Sequence, residues 1–88
     1  MPTRDVTIAS TVGLHARPAS LFVNEASGLG ARVTIQKEGK SPVDARSMLG
    51  VMTLGAKHGE TVTLTAEGEG AAEALERLAA LLEKDLDA

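Results

Sequence analysis

The segment TVTLTAE, residues 61–67, alternates without a break: Val62, Leu64 and Ala66 form one row, Thr61, Thr63 and Thr65 the other. A two-residue period rich in β-branched side chains specifies a strand with one apolar and one polar face. The next run, GAAEALERLAALLEKDL, changes period. Leu75, Leu78, Ala79, Leu82 and Leu86 recur at helical spacing, while Glu73, Glu76, Arg77 and Glu83 occupy the other side. A sheet with one apolar face and a helix with one apolar stripe bury both by packing together. The second face of the sheet stays in water.

The same two periods recur upstream. In residues 4–8, Val6 and Ile8 share a face opposite Asp5 and Thr7. After the turn-like STVG, helical spacing begins with Ala19, Phe22, Val23 and Ala26. SGLG ends that helix, and Gly28 or Gly30 is expected as its left-handed cap. ARVTIQ alternates again, with Val33 and Ile35 inward. KEGK supplies a turn at Gly39, and a return strand is expected from Ser41 to Val43, kept short or at an edge by Pro42. SMLGVM reads as a short helix capped by Ser47, and GAKHGE as a connector with glycines near both ends. The order is β-α-β-β-α-β-α: an α+β fold with a largely antiparallel four-stranded sheet and helices on one side. Residues 1–88 are expected to form one domain, with no internal repeat or long linker.

Composition narrows what such a domain can do. Phe22 is the only aromatic residue and the formal net charge is −3. Base stacking and counterion release, the two usual sources of nucleic-acid affinity, are therefore absent, and no nucleic-acid partner is expected. With no cysteine there is neither a disulfide framework nor a zinc–thiolate site. MPTRDVTIAS lacks the apolar core of a signal peptide, and no run approaches membrane-spanning length, so a cytoplasmic protein without membrane insertion is expected.

The seam between the first strand and first helix reads STVGLHARPAS, residues 10–20. With His15 as the cap, Ala16, Arg17 and Pro18 form the first turn, where the missing N–H of Pro18 costs nothing. The other N–H groups of a helix start, and its positive dipole end, favour an anion. Arg17 adds a planar guanidinium suited to phosphate oxygens, and His15 an imidazole that is nucleophilic near neutral pH. These residues alone leave three readings open: a capping surface histidine, an anion site, or a phosphoryl acceptor.

GLHARPAS resembles the active-site motif of the HPr family, the phosphocarriers of the bacterial phosphoenolpyruvate-dependent sugar phosphotransferase system. A second block, RSMLGVMTLGAKHG, is similar to the region around that family's regulatory serine, and the resemblance spans essentially the whole chain. It implies an open-faced sandwich of four antiparallel strands and three helices. It also implies that His15 accepts a phosphoryl group on Nδ1 from phosphorylated enzyme I and passes it to enzyme IIA of sugar permeases. Arg17 then corresponds to the phosphate-interacting arginine, and no cofactor or metal is implied. Such a carrier is a substrate of its partners' chemistry rather than a stand-alone enzyme.

By the same resemblance Ser47 corresponds to the serine that HPr kinase/phosphorylase modifies in low-GC Gram-positive relatives. Arg46 stands before it where such relatives often have lysine. Docking of enzyme I and enzyme IIA is expected on Ala16, Ser20, Met48, Leu49 and Met52, with Met48, Leu49 and Met52 in an exposed apolar patch near His15. His58, in its glycine-flanked connector, is expected at the surface and in no metal site. A monomer is expected, since the carrier offers one face to successive partners. Two rival readings are an HPr paralogue in a nitrogen-related or regulatory phosphotransfer chain, and an anion-binding module without phosphotransfer. Loss of the active histidine often accompanies a purely regulatory role, so the presence of His15 favours a carrier.

Overall fold

The computed structural model describes residues 2–9 and 16–83, the side chains of Ala16 and Pro18 excepted. Its elements run β1 (Thr3–Thr7), α1 (Ala16–Ser27), β2 (Arg32–Lys37), β3 (Val43–Asp44), α2 (Met48–Thr53), β4 (Thr61–Glu67) and α3 (Ala71–Leu82). The strands form one sheet in the order β1-β4-β2-β3, antiparallel at every junction. The α+β class, the element order and the antiparallel sheet expected from the two periods are all present.

The strand with the cleanest alternation occupies the middle of the sheet. β4 pairs with β1 through Val6↔Val62 and Arg4↔Leu64, and with β2 through Ile35↔Leu64 and Val33↔Ala66. Val62, Leu64 and Ala66 are fully buried, as is Ile35, beneath the helices. β1 and β2 are parallel to one another with β4 between them, so β1-α1-β2 is a split β-α-β crossover. Phe22 of α1 and Leu78 of α3 are completely enclosed against this sheet. Burying a ring the size of Phe22 contributes ~3 kcal/mol. With only one aromatic residue available, alanines complete the layer: Ala19 and Ala26 on α1, Ala74 and Ala79 on α3, all buried.

The helix ends show where local chemistry departs from expectation. α1 does not finish on a left-handed glycine: among the described glycines only Gly39, Gly55, Gly59, Gly68 and Gly70 have positive φ. Instead the Gly28 and Leu29 N–H groups donate to the Glu25 and Ala26 carbonyls at 3.1 and 3.2 Å. These tighter three-residue bonds satisfy the terminal carbonyls without a left-handed residue. The return strand begins at Val43 rather than Ser41, leaving Pro42 before it at the sheet edge. Pro42 has no N–H for the ladder, so pairing starts beyond it. Gly39 has φ +84° in the β2–β3 turn, a conformation that excludes most side chains. Leu86, expected in the buried stripe of α3, lies outside the described residues.

Candidate functional site

α1 begins at Ala16, where the sequence places a helix start. His15 immediately precedes it and lies outside the described residues. On α1, Arg17, Ser20, Leu21 and Asn24 are exposed at steps of three and four, a surface stripe running from the helix start. The other described arginines face carboxylates: Arg4 with Glu76 and Glu83, Arg32 with Glu67 at 3.9 Å, Arg46 with Asp44 at 3.3 Å, Arg77 with Glu25 at 3.4 Å. Arg17 has no such partner among the described residues. Its guanidinium stands in the first turn of a twelve-residue helix, where the dipole also favours an anion.

α2 packs against α1 and β3. Ser47 is its N-cap: extended backbone at φ −96° and ψ 109°, with Oγ accepting from the Gly50 N–H at 3.1 Å. The Ser47 carbonyl accepts from the Val51 N–H at 2.9 Å, the first bond of the helix. Gly50 is the contact point with the sheet edge. A Cβ there would lie 3.2 Å from Val43 Cβ and 3.1 Å from Ser47 Oγ, so the absence of a side chain lets α2 sit this close to β3. Beside the cap, Arg46 and Asp44 close a small charged turn. The Arg46 side chain, and then its backbone N–H, hold the Asp44 carboxyl below the usual carboxylate range.

The six residues MLGVMT divide between core and solvent. Val51 is fully buried. Met48, one turn before it, is half-buried and packs against the core, contrary to the expectation that it belongs to an exposed patch. The three-residue step from Met48 to Val51 puts both on the inward side of a helix with 3.6 residues per turn. Leu49 and Met52 share the outer side and are 76% and 40% exposed. Leu21 of α1, outside the docking set expected from the sequence, is 41% exposed. Its signal is present in the sequence: a leucine lying outside the Ala19–Phe22–Val23–Ala26 stripe. These three are the exposed large hydrophobic side chains among the described residues. Ser20 is exposed next to Leu21 on α1, and Ala16 opens the helix.

The connector after α2 meets the chain on its way to the seam. Ile8 N–H donates to the Glu60 carbonyl and Gly59 N–H to the Ile8 carbonyl, each at 2.9 Å, while Ala9 N–H donates to the Leu82 carbonyl at 3.1 Å. The Glu60 carboxylate accepts from the Lys57 backbone N–H at 2.7 Å and lies 3.1 Å from Lys37 Nζ. That backbone bond first, and the ammonium second, hold Glu60 below the usual carboxylate range. His58 is exposed in this turn.

Two clefts are lined by none of these exposed side chains. One of about 280 Å³ lies between residues 28–31 and the start of α3, at the opposite end of α1 from Arg17. Another of about 230 Å³ lies on β2 and β4, around Arg32, Thr65 and Glu67. Among the described residues, α1 and α2 together carry a guanidinium with no carboxylate partner, a helix start and exposed apolar side chains. They suit a bound anion and a protein partner better than an enclosed small molecule.

Comparison with known proteins supplies the family. The family model described as the HPr component phosphorylation site of the phosphotransferase system matches residues 2–84. The chain is 51% identical over 87 residues to the phosphocarrier protein HPr of Streptomyces coelicolor, covering 99% of this chain and 94% of that protein. It is 43% identical over 86 residues to the HPr-like protein Crh of Bacillus subtilis, covering 98% of this chain and all of that protein. The crystal structure of HPr from Bacillus anthracis superposes with a TM-score of 0.88 at 44% identity, over 92% of this chain and 95% of that one. The chain belongs to the HPr family of phosphocarrier proteins of the phosphotransferase system.

Proposed function

We propose that this chain carries a phosphoryl group on His15, taking it from phosphorylated enzyme I and delivering it to enzyme IIA of sugar permeases. The observation that carries this reading is the exposed Arg17, without a carboxylate partner among the described residues, in the turn that begins directly after His15. The imidazole Nδ1 attacks phosphorus, the bond to the donor breaks, and the donor keeps the bonding electron pair. The new phosphoramidate brings negative oxygens to the start of α1, where Arg17 and the unsatisfied N–H groups offset their charge. Delivery runs the same exchange toward the next protein. Leu21, Leu49 and Met52 supply the apolar part of a docking surface, with Ala16, Ser20 and Arg17 at its edge. The chain works as a monomer that presents this surface to each partner in turn.

The test is incubation with enzyme I and labelled phosphoenolpyruvate. An acid-labile phosphate on His15, lost in His15→Ala, is expected; an unlabelled chain with a competent donor contradicts the reading. Ser47 has a second role as a phosphorylation site for an ATP-dependent HPr kinase/phosphorylase, supported by its position as the half-buried cap of a helix on this surface. Phosphate there adds charge beside Leu49 and opposes docking. Purified kinase and ATP test this, with an unmodified Ser47 as the contrary result.

A further inference from the structure

We infer that Met52 is a reversible oxidation site through which a peroxide lowers the phosphoryl-transfer capacity of the chain, an inference that rests on the docking surface proposed above. The chain has no cysteine and three methionines, so thioethers are its only sulfur available to a two-electron oxidant. Both internal methionines lie on α2, and the fold treats them differently. Met48 leans on the core beside the buried Val51, whereas Met52 is 40% exposed on the outer side with Leu49.

The chemistry is self-contained with hydrogen peroxide as oxidant. The thioether sulfur attacks one peroxide oxygen, the O–O bond breaks, and proton transfer releases water as the sulfoxide forms. The product replaces a flexible apolar side chain by a polar, chiral one. At Met52 this change falls on the surface rather than in the core, because the enclosed residue of α2 is Val51. The sheet and helices therefore remain folded while α1 and α2 lose one of the three exposed large apolar side chains among the described residues. Methionine sulfoxide reductases reverse the modification.

The experiment treats the full chain with limiting hydrogen peroxide, maps one-oxygen mass gains by peptide mass spectrometry, and measures transfer from phosphorylated enzyme I on the same aliquots. Met52 sulfoxide is expected to form several-fold faster than Met48 sulfoxide. The transfer rate should fall about threefold or more in step with it, with an unchanged circular dichroism spectrum and recovery after reductase treatment. The Met52→Leu variant, whatever its starting rate, should keep that rate through the same peroxide exposure. Met48 oxidising as fast as Met52, or an undiminished rate with Met52 fully oxidised, overturns the inference. A chain that accepts no phosphoryl group even before oxidation overturns the carrier reading together with it, which separates the two failures.

Discussion

The two sides of this molecule handle polarity in opposite ways. On the open face of the sheet, threonines from three strands stand in register, Thr3↔Thr65, Thr7↔Thr61 and Thr34↔Thr65, and the polar groups between them find partners. Thr63 Oγ1 donates to Asp5 at 2.8 Å, and Arg32 faces Glu67. On the α1–α2 surface the reverse holds: Leu21, Leu49 and Met52 are exposed and Arg17 lacks a carboxylate partner among the described residues. The sheet face is complete in water. Among the described residues the helical surface leaves both apolar area and a cation without partners, which suits a surface that meets a phosphoryl group and successive proteins.

The largest expected effect breaks this contrast directly. Leu49→Asp should lower transfer from enzyme I about tenfold or more while changing stability by only ~0.5 kcal/mol, because the side chain is already mostly exposed. Thr61→Lys, on the open sheet face, should leave the transfer rate within about twofold and stability within the same ~0.5 kcal/mol. Steady-state transfer and thermal melts of both variants check the pair; equal effects on transfer would erase the distinction between the two faces.

Ser47→Ala sharpens the boundary of the helical surface at an intermediate scale. It removes the oxygen that accepts from Gly50 and should cost ~1 kcal/mol. For a domain of this size that corresponds to a melting shift of about 4–8 °C. An unchanged melting temperature would mean that water replaces the cap.

The smallest effect concerns the connector after α2. Glu60 and Asp44 are both held below the usual carboxylate range by their partners in the folded chain. Each therefore contributes stability that is complete above the unfolded carboxylate value, about pH 4, and is lost as pH falls through the depressed folded value. Glu60→Gln should flatten the acid limb of the stability curve in that window and leave the limb near neutral pH parallel to that of the parent chain. Melting temperature against pH checks it, and a curve with an unaltered acid limb would count against the connector.

Much of this fold was legible because its strongest elements state their period plainly. β4 and α3 are long enough for alternation and helical spacing to be unambiguous, and Ser47 as a cap follows from a hydroxyl standing before a short apolar run. The end of α1 was not legible in the same way. Two glycines advertise a left-handed cap, but the bonds of Gly28 and Leu29 to Glu25 and Ala26 satisfy the helix end first. Met48 and Met52 are chemically identical in the sequence, and only the seating of α2 against the sheet edge separates them. That Arg17 has no carboxylate partner among the described residues was equally hidden. Whether an arginine is paired depends on residues far along the chain, as Arg4 with Glu76 and Arg77 with Glu25 demonstrate. His15 stood out through its local motif, a signal that needs no tertiary structure.

The division between a finished face and an unfinished one is tested most directly by titrating the isotopically labelled chain with enzyme I and following each backbone amide by NMR. The perturbed amides are expected to cluster on Arg17, Ser20, Leu21, Leu49 and Met52, with Thr61, Thr63 and Thr65 unmoved. Perturbations centred on the threonine rows, with the α1–α2 amides unchanged, would contradict it.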